Sequence, residues 1–175
     1  MKTMETIEAI KTRRSIRTFS DEMIPEAQLI QILTCGMYAP SAGNQQPWHF
    51  ILIQDKEVLR MIPDIHEHAN MLSMASAGIL VCIDSSLEKH KNMAVQDCSA
   101  ATQNILLAAH ALDIGSCWLG VYPREKRMTE LRKMFRIPDD IIPFSLIALG
   151  TYRGKKEQVE RLNKQRLHRE TWGQH

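Results

Sequence analysis

Gly78-Ile-Leu-Val-Cys-Ile-Asp84 is the stretch of sequence that decides the fold. Its apolar residues follow one another without the alternating polar positions of a half-exposed strand. The run therefore predicts a strand whose two faces are both buried. A strand of this kind lies inside a sheet, so the fold is expected to be built around a central sheet.

Three further strands and five helices are predicted around this run from hydrophobic periodicity and turn signals. The other strands are 48–54, 115–121 and 144–151. The helices are 4–12, 26–38, 55–62, 93–112 and 124–135, and Pro63 is expected to end the third of them. The mixture of helices and strands predicts an α+β protein.

The composition favours a single domain over residues 1–175, with 44% hydrophobic and 24% charged residues. The four cysteines form no CxxC pair, and three of them stand among apolar residues, which favours buried free thiols in a reducing compartment over disulfides. The N-terminus has no signal-peptide pattern, and polar residues interrupt the long uncharged stretch 27–54, so no membrane span is predicted. We expect a cytoplasmic protein.

Charge is distributed unevenly, although the formal net charge is only +2. Residues 1–19 carry a net +3, residues 153–175 a net +4, and the body between them a net −5. Basic ends on an acidic body suggest an anionic partner. The tail, residues 153–175, has too few apolar residues for its own core. We expect it to be an extension that packs on its own or a neighbouring subunit, with disorder as the alternative.

Several common motifs are absent, namely GxGxxG after a strand, GxxxxGK[ST] and GxSxG. His66-Glu67-His68 is not HExxH, and side chains two apart on a helix diverge. We interpret this tripeptide as an exposed polar helix start, and no metal site is predicted.

Arg13-Arg14-Ser15-Ile16-Arg17 places three guanidinium groups and a hydroxyl within five residues, just after a helix. Arginine presents a planar fork of donors that matches phosphate oxygens. In an extended stretch Arg13, Ser15 and Arg17 would face one side. A solvated basic surface or a nonspecific nucleic-acid patch is the alternative, and the near-neutral net charge weakens the latter.

Two other segments have residues that would allow their backbone to approach and bind a ligand. The loop 39–48, Ala-Pro-Ser-Ala-Gly-Asn-Gln-Gln-Pro-Trp, is small and rich in amides, so it could hydrogen-bond the edge of a flat heterocycle. Trp118-Leu119-Gly120 ends a strand with a glycine that permits close backbone approach. The alternatives are a plain turn before a strand and a buried Trp followed by a strand-ending Gly.

In their order and spacing, these three segments resemble the short-chain branch of the FMN-dependent nitroreductase family. Residues 97–112 (DCSAATQNILLAAHAL) and 137–150 (IPDDIIPFSLIALG) are similar to its central helix and last core strand, and 162–172, with His168, to its tail. The resemblance implies a nitroreductase-like fold with a central mixed β-sheet flanked by helices, in an interlocked homodimer. Small residues on the helix 93–112 are expected to face a partner helix: Ala100, Ala101, Ala108 and Ala109.

The resemblance also implies which residues bind FMN. The phosphate and nearby polar flavin atoms would be held by Arg13, Arg14, Ser15 and Arg17. The loop lent by the other subunit corresponds to Pro40, Ser41, Ala42 and Asn44. The backbone against the ring near N5 corresponds to Leu119 and Gly120. A basic residue after the last strand completes the phosphate site, and the candidates are Arg153, Lys155 and Lys156.

Two departures from the family pattern leave details open. Gly150-Thr151-Tyr152-Arg153 replaces the usual Gly-Tyr-Pro, so more than one of the basic residues that follow is a candidate for the phosphate site. The Asn and Lys that larger members place over the flavin have no match in residues 64–77. Candidates for the substrate pocket are His66, His68, Met71 and Met74.

The implied activity is an NAD(P)H-dependent oxidoreductase that passes hydride from NADH or NADPH, through flavin N5, to small electron-poor acceptors such as nitroaromatics and quinones. The order would be ping-pong, and no side chain is assigned a catalytic role. Neither nucleic acid nor a membrane is expected as a partner. The alternatives are a flavin-binding or sensing module without turnover, and a dehalogenating or flavin-fragmenting member, which would need a lid around residues 85–95.

Overall fold

A computed structural model describes residues 4–154 and 159–174 of the chain. Within these ranges four strands form one sheet in the order β1-β2-β4-β3. They are β1 (Trp48–Ile53), β2 (Ala77–Asp84), β3 (Gly115–Gly120) and β4 (Ile141–Gly150). All four predicted strands are present. β4 begins three residues before its predicted start, because Pro143 sits at a register shift opposite β2, where its missing N–H is tolerated.

The sheet is antiparallel, which corrects the expected mixed sheet. β1 with β2, β2 with β4 and β3 with β4 all pair antiparallel. Within the described residues, parallel pairing is limited to one bridge between Ser15 and Ser116. That bridge adds the segment after the first helix to the outer edge of β3.

In the described part of the chain, five α-helices surround the sheet: α1 (Thr6–Thr12), α2 (Glu26–Met37), α3 (Lys56–Ile65), α4 (Ala94–Ala111) and α5 (Glu125–Phe135). Each was predicted, but Pro63 does not end α3. The helix continues to Ile65 and closes with a 3.0 Å hydrogen bond from His66 N to Ile62 O. Leu59 and Ile62 are fully buried, and their packing holds the last turn in place despite the missing proline N–H.

β2 is buried on both faces, as its apolar run predicts. Ile79 and Val81 pack in one cluster with residues of α2 and α4, such as Ile32 and Ile105. Leu80 and Cys82 belong to a second cluster that includes residues of α3 and α5. The sheet therefore separates two helical layers, each with its own apolar core.

The four alanines of α4 differ in how deeply they are buried. Ala101 and Ala109 are fully buried in the chain's own core, which corrects the expectation that they face a partner helix. Ala100 and Ala108 are half-buried. The helix is tied to the sheet by a buried 2.9 Å hydrogen bond between the hydroxyls of Thr102 and Ser145.

Large apolar side chains remain exposed on α1 and on the tail. Ile7 and Ile10 of α1 are 65% and 52% exposed. In the tail, Val159, Leu162, Leu167 and Trp172 are all exposed, and the Trp172 ring lies 4.4 Å from that of His168. Among the helices in the described part of the chain, none is both long enough and apolar enough to span a membrane.

Candidate functional site

The segment 13–17 lies in an extended conformation against the start of β3. Ile16 N donates to Ser116 O at 2.9 Å, and Ser15 pairs with Ser116. Ile16 is buried against Gly115, where a side chain at the glycine would collide with it. With Ile16 held inward, the alternation of an extended chain turns its neighbours the other way.

Arg13, Ser15 and Arg17 all act on the pKa of one buried thiol, that of Cys117. Burial raises the pKa of this thiol, while the charge of Arg17, a hydrogen bond with Ser15 and the charge of Arg13 act in the opposite direction. The two guanidinium groups and the hydroxyl therefore all favour the charged form of the same thiol.

The Arg14 guanidinium is only partly satisfied. Its Nη1 donates to the carbonyl oxygens of Lys11 and Arg13, each at 2.8 Å. Its Nε and Nη2 are buried and have no hydrogen-bond partner among the described residues. A buried charged donor without an acceptor is costly, so these atoms are suited to an anionic ligand.

Arg161 of the tail is a neighbour of Arg13 that the sequence did not identify. Burial lowers the pKa of Arg13, and the charges of Arg161 and Arg14 lower it further. The sequence could not single out Arg161, because it is one of seven basic residues in the tail. Three residues were proposed to complete the phosphate site. Of these, Arg153 is exposed, and its Nη2 lies 3.8 Å from Glu22 Oε1. Lys155 and Lys156 lie outside the described residues.

The loop after α2 is fixed by Asp97, a buried carboxylate in the first turn of α4. Its Oδ1 accepts from Ala42 N at 3.0 Å and its Oδ2 from Gln45 Nε2 at 2.6 Å. Gly43 and Asn44 adopt positive φ angles of 53° and 55°. Asp97 and Gln45 were both missed, although an acidic residue at the start of an apolar helix is a usable signal.

This loop and the arginine segment lie at opposite edges of the sheet. The loop 40–44 leads into β1, whereas the segment 13–17 lies against β3, and β2 and β4 stand between them. From β1 to the segment on the outer edge of β3 there are four strand spacings, which amount to about 19 Å. One chain therefore keeps the two predicted parts of the site apart.

The end of β3 leaves an open backbone at Gly120. A side chain at Gly120 would meet no atom within 4 Å. Leu119 is buried, while Trp118 is 37% exposed and tilts against Phe144. The Gly120 carbonyl accepts from His66 Nε2 at 3.0 Å and from Arg127 Nη1 at 2.8 Å.

His66 corrects the reading of residues 66–68 as an exposed helix start. It caps the C-terminus of α3 and is buried, with 1% of its surface exposed. His68 is exposed and lines a cavity of about 660 Å³ together with Glu67, Arg124 and Arg127. Of the other pocket candidates, Met71 is half-buried and Met74 exposed, and neither is among the residues that line this cavity.

The fold and this site define an α+β protein with a cationic sheet edge that suits an anionic ligand. The sequence matches the family model described as Nitroreductase family over residues 10–72 and 60–151. A protein of Archaeoglobus fulgidus, provisionally named NADH dehydrogenase/NAD(P)H nitroreductase, is 51% identical over 172 residues, which are 96% of this chain and 99% of that protein. The chain belongs to the nitroreductase family, as the sequence motifs predicted.

Solved structures agree with this assignment. A crystal structure from Parabacteroides distasonis with the same provisional name has a TM-score of 0.90 at 34% identity, covering 95% of this chain and 98% of that one. A provisionally named nitroreductase from Desulfovibrio desulfuricans, solved in complex with FMN, has a TM-score of 0.83 at 28% identity, covering 97% and 99%. The predicted nitroreductase-like fold is confirmed.

Proposed function

We propose that this chain is an FMN-dependent oxidoreductase that uses NADH or NADPH to reduce electron-poor acceptors such as nitroaromatics and quinones, in ping-pong order. The observation that carries the proposal is the arginine segment 13–17, which lies along the edge strand β3 and leaves two buried Arg14 nitrogens without a partner among the described residues. The FMN complex of the Desulfovibrio relative supports the choice of ligand.

The phosphate would be held by Arg13, Ser15 and Arg17, with Arg161 as a further cation. The mutual repulsion of Arg13, Arg14 and Arg161 is relieved when an anion lies among them. The unpartnered Nε and Nη2 of Arg14 would find acceptors on the same ligand. Charge-assisted hydrogen bonds to phosphate are the strong kind, and arginine is the residue best shaped to form them.

The flavin ring would lie against the backbone at Leu119 and Gly120. The free space where a Gly120 side chain would stand allows this approach. When bound, FMN would supply the hydride chemistry at N5, as redox cofactors generally supply the chemistry that side chains lack. The chain's own task would be to orient the ring and to stabilise its negative charge with backbone N–H and cationic groups, so no catalytic side chain is assigned.

A second copy of the chain would complete the site in an interlocked homodimer. Its loop, through Pro40, Ser41, Ala42 and Asn44, would reach the flavin that the first copy holds. The separation of this loop from the arginine segment within one chain supports such sharing. Ile7 and Ile10 and the apolar residues of the tail, exposed here, are further candidates for the subunit contact.

The alternative activities differ in what they require. A dehalogenating or flavin-fragmenting member would need a lid between β2 and α4, but only a short turn at Ser85–Leu87 and a few further residues stand there before α4 begins at Ala94. A flavin-binding module without turnover would have the same site and differ only in its reaction with nicotinamide.

Absorbance spectroscopy tests the proposal directly. The purified protein is expected to be yellow, and NADH or NADPH should bleach it in the absence of oxygen. A colourless preparation that takes up no added FMN contradicts the proposal. A yellow protein that neither nicotinamide reduces identifies the binding module instead. A screen of acceptors with both nicotinamides then defines the oxidant.

A further inference from the structure

The Gly120 carbonyl is held by two donors from two different parts of the chain. His66 follows α3, and Arg127 lies in the first turns of α5. Their hydrogen bonds to this one oxygen measure 3.0 Å and 2.8 Å. A carbonyl oxygen has two lone pairs, so both of its acceptor positions are occupied.

The hydrogen bonds of His66 define its protonation. Its Nδ1 accepts from His68 N at 3.2 Å, so the ring proton is on Nε2 and is donated to Gly120. Burial lowers the pKa of His66, and the nearby charge of Arg127 acts in the same direction. The ring is therefore a neutral donor with one defined orientation.

Arg127 is fixed through the same tripeptide. Its Nη2 lies 3.2 Å from Glu67 Oε1, and its side chain is only 18% exposed. His66 and Glu67 are adjacent in sequence, so one short segment supplies a donor to Gly120 and also the partner that orients the second donor. His66 and Arg127 thus both bind one backbone oxygen, and Glu67 holds Arg127 in place.

The two hydrogen bonds restrict a residue that is otherwise free to move, because residue 120 is a glycine. Without a side chain, Gly120 can adopt backbone angles that other residues avoid, and open space beside it removes a further restraint. The peptide unit is planar, so fixing the carbonyl also fixes the direction of the N–H of Val121 on the same unit.

We propose that His66 and Arg127 are positioning residues that orient the Gly120 peptide and thereby set how readily the adjacent flavin is reduced. This inference rests on the proposed function, because it takes Gly120 as backbone against the flavin. It gives His66-Glu67-His68 a role that its sequence pattern does not suggest. Hydrogen-bond donors held in fixed positions stabilise charge at no reorganisation cost, and a loosened peptide loses this advantage.

The test compares Arg127→Met, Arg127→Lys and His66→Gln with the wild-type holoprotein. Lys126→Met is the matched control, because it removes one positive charge from an exposed neighbour on the same helix. We expect Arg127→Met to slow anaerobic flavin reduction at saturating nicotinamide about tenfold, the size of one lost hydrogen bond. The flavin midpoint potential should become more negative, while FMN affinity stays within about threefold, since the phosphate contacts are intact.

Arg127→Lys and His66→Gln each keep a donor and should retain most of the wild-type rate. Hydrogen exchange of a peptide covering residues 116–124, measured in flavin-free protein, should rise in Arg127→Met and not in Lys126→Met. If the exchange rises while potential and reduction rate are unchanged, or if nothing changes, the inference is wrong. A wild-type protein that binds no FMN contradicts the proposed function instead. The Arg127 side chain is partly exposed, so its variants are expected to fold. They test the inference even if His66→Gln fails to fold.

Discussion

The carboxylate of Asp97 accepts a 2.6 Å hydrogen bond from the side-chain amide of Gln45, and both residues are buried. This contact joins the first turn of α4 to the loop 40–44, which is predicted to reach the flavin of the other subunit. The second oxygen of the same carboxylate accepts from Ala42 N. One side chain therefore fixes the loop at two points.

Asp97→Ala is expected to destabilise the protein by about 3 kcal/mol, because it leaves the Gln45 amide and the Ala42 N–H buried without an acceptor. Urea unfolding measures this free energy. The exposed Asp139→Ala is the control and should change it by less than about 0.5 kcal/mol. Equal effects of the two substitutions would show that Asp97 does not hold the loop.

Arg17→Ala is expected to weaken FMN affinity by about 1.5–3 kcal/mol, the scale of a charge-assisted hydrogen bond. Arg13→Ala should have a similar effect, because both guanidinium charges act on the Cys117 thiol. Isothermal titration of flavin-free protein with FMN measures the change, and riboflavin, which lacks the phosphate, provides the control. If neither substitution alters FMN affinity, the phosphate assignment is wrong.

Arg161→Ala should weaken FMN binding more than Arg153→Ala. Arg161 is close enough to affect the pKa of Arg13, whereas Arg153 is 87% exposed and faces Glu22. Each substitution removes one positive charge, so a difference in FMN affinity between the two variants reflects the position of the arginine and not the net charge of the protein. The same titration, repeated at higher salt, checks that the difference arises from a local contact rather than from the screened overall field. A larger loss in Arg153→Ala would instead favour Arg153, one of the three residues predicted from the sequence, as the cation that completes the phosphate site.

The sequence predicted those parts of the fold that depend on local pattern. β2 was found because its run is apolar throughout. The end of α3 was misplaced because a proline signal is local, whereas the burial of Leu59 and Ile62 depends on the rest of the fold.

The parts of the site that were missed depend on contacts between distant positions. Arg161 approaches Arg13 from the far end of the chain, and no local property distinguishes it from the other basic residues of the tail. His66 binds a carbonyl 54 positions away, and a polar tripeptide does not indicate that its first ring is buried. Such pairings arise only once the sheet is assembled.

His66 should make stability depend on pH. Its pKa is lowered from the ordinary value of 6.5 in the folded state, chiefly by burial, with Arg127 and His68 as the nearby groups that also disfavour its charge. The unfolded chain then binds more protons, so this stability is present above about pH 6.5 and is lost as the pH falls below it. His110 also has a lowered pKa, so the wild-type curve alone is ambiguous.

The difference between wild type and His66→Gln isolates the contribution of His66. Unfolding free energies measured by urea between pH 5 and 8 should diverge above about pH 6.5 and converge below it. Curves that stay parallel over this range would show that His66 is not held as the neutral donor.

Subunit sharing predicts that two defective variants restore a site when mixed. Arg17→Glu disables the segment 13–17 and Ala42→Arg obstructs the loop 40–44, so each homodimer should bind FMN poorly. If the loop comes from the other subunit, a heterodimer has one site with both defects and one with neither. Random reassembly from equal amounts makes half of the dimers mixed, so about a quarter of all sites should regain wild-type affinity.

If each site used parts of one chain only, every site would keep one defect and mixing would restore nothing. FMN fluorescence after unfolding and refolding the mixture together measures the recovered fraction, and separately refolded variants, combined afterwards, provide the control.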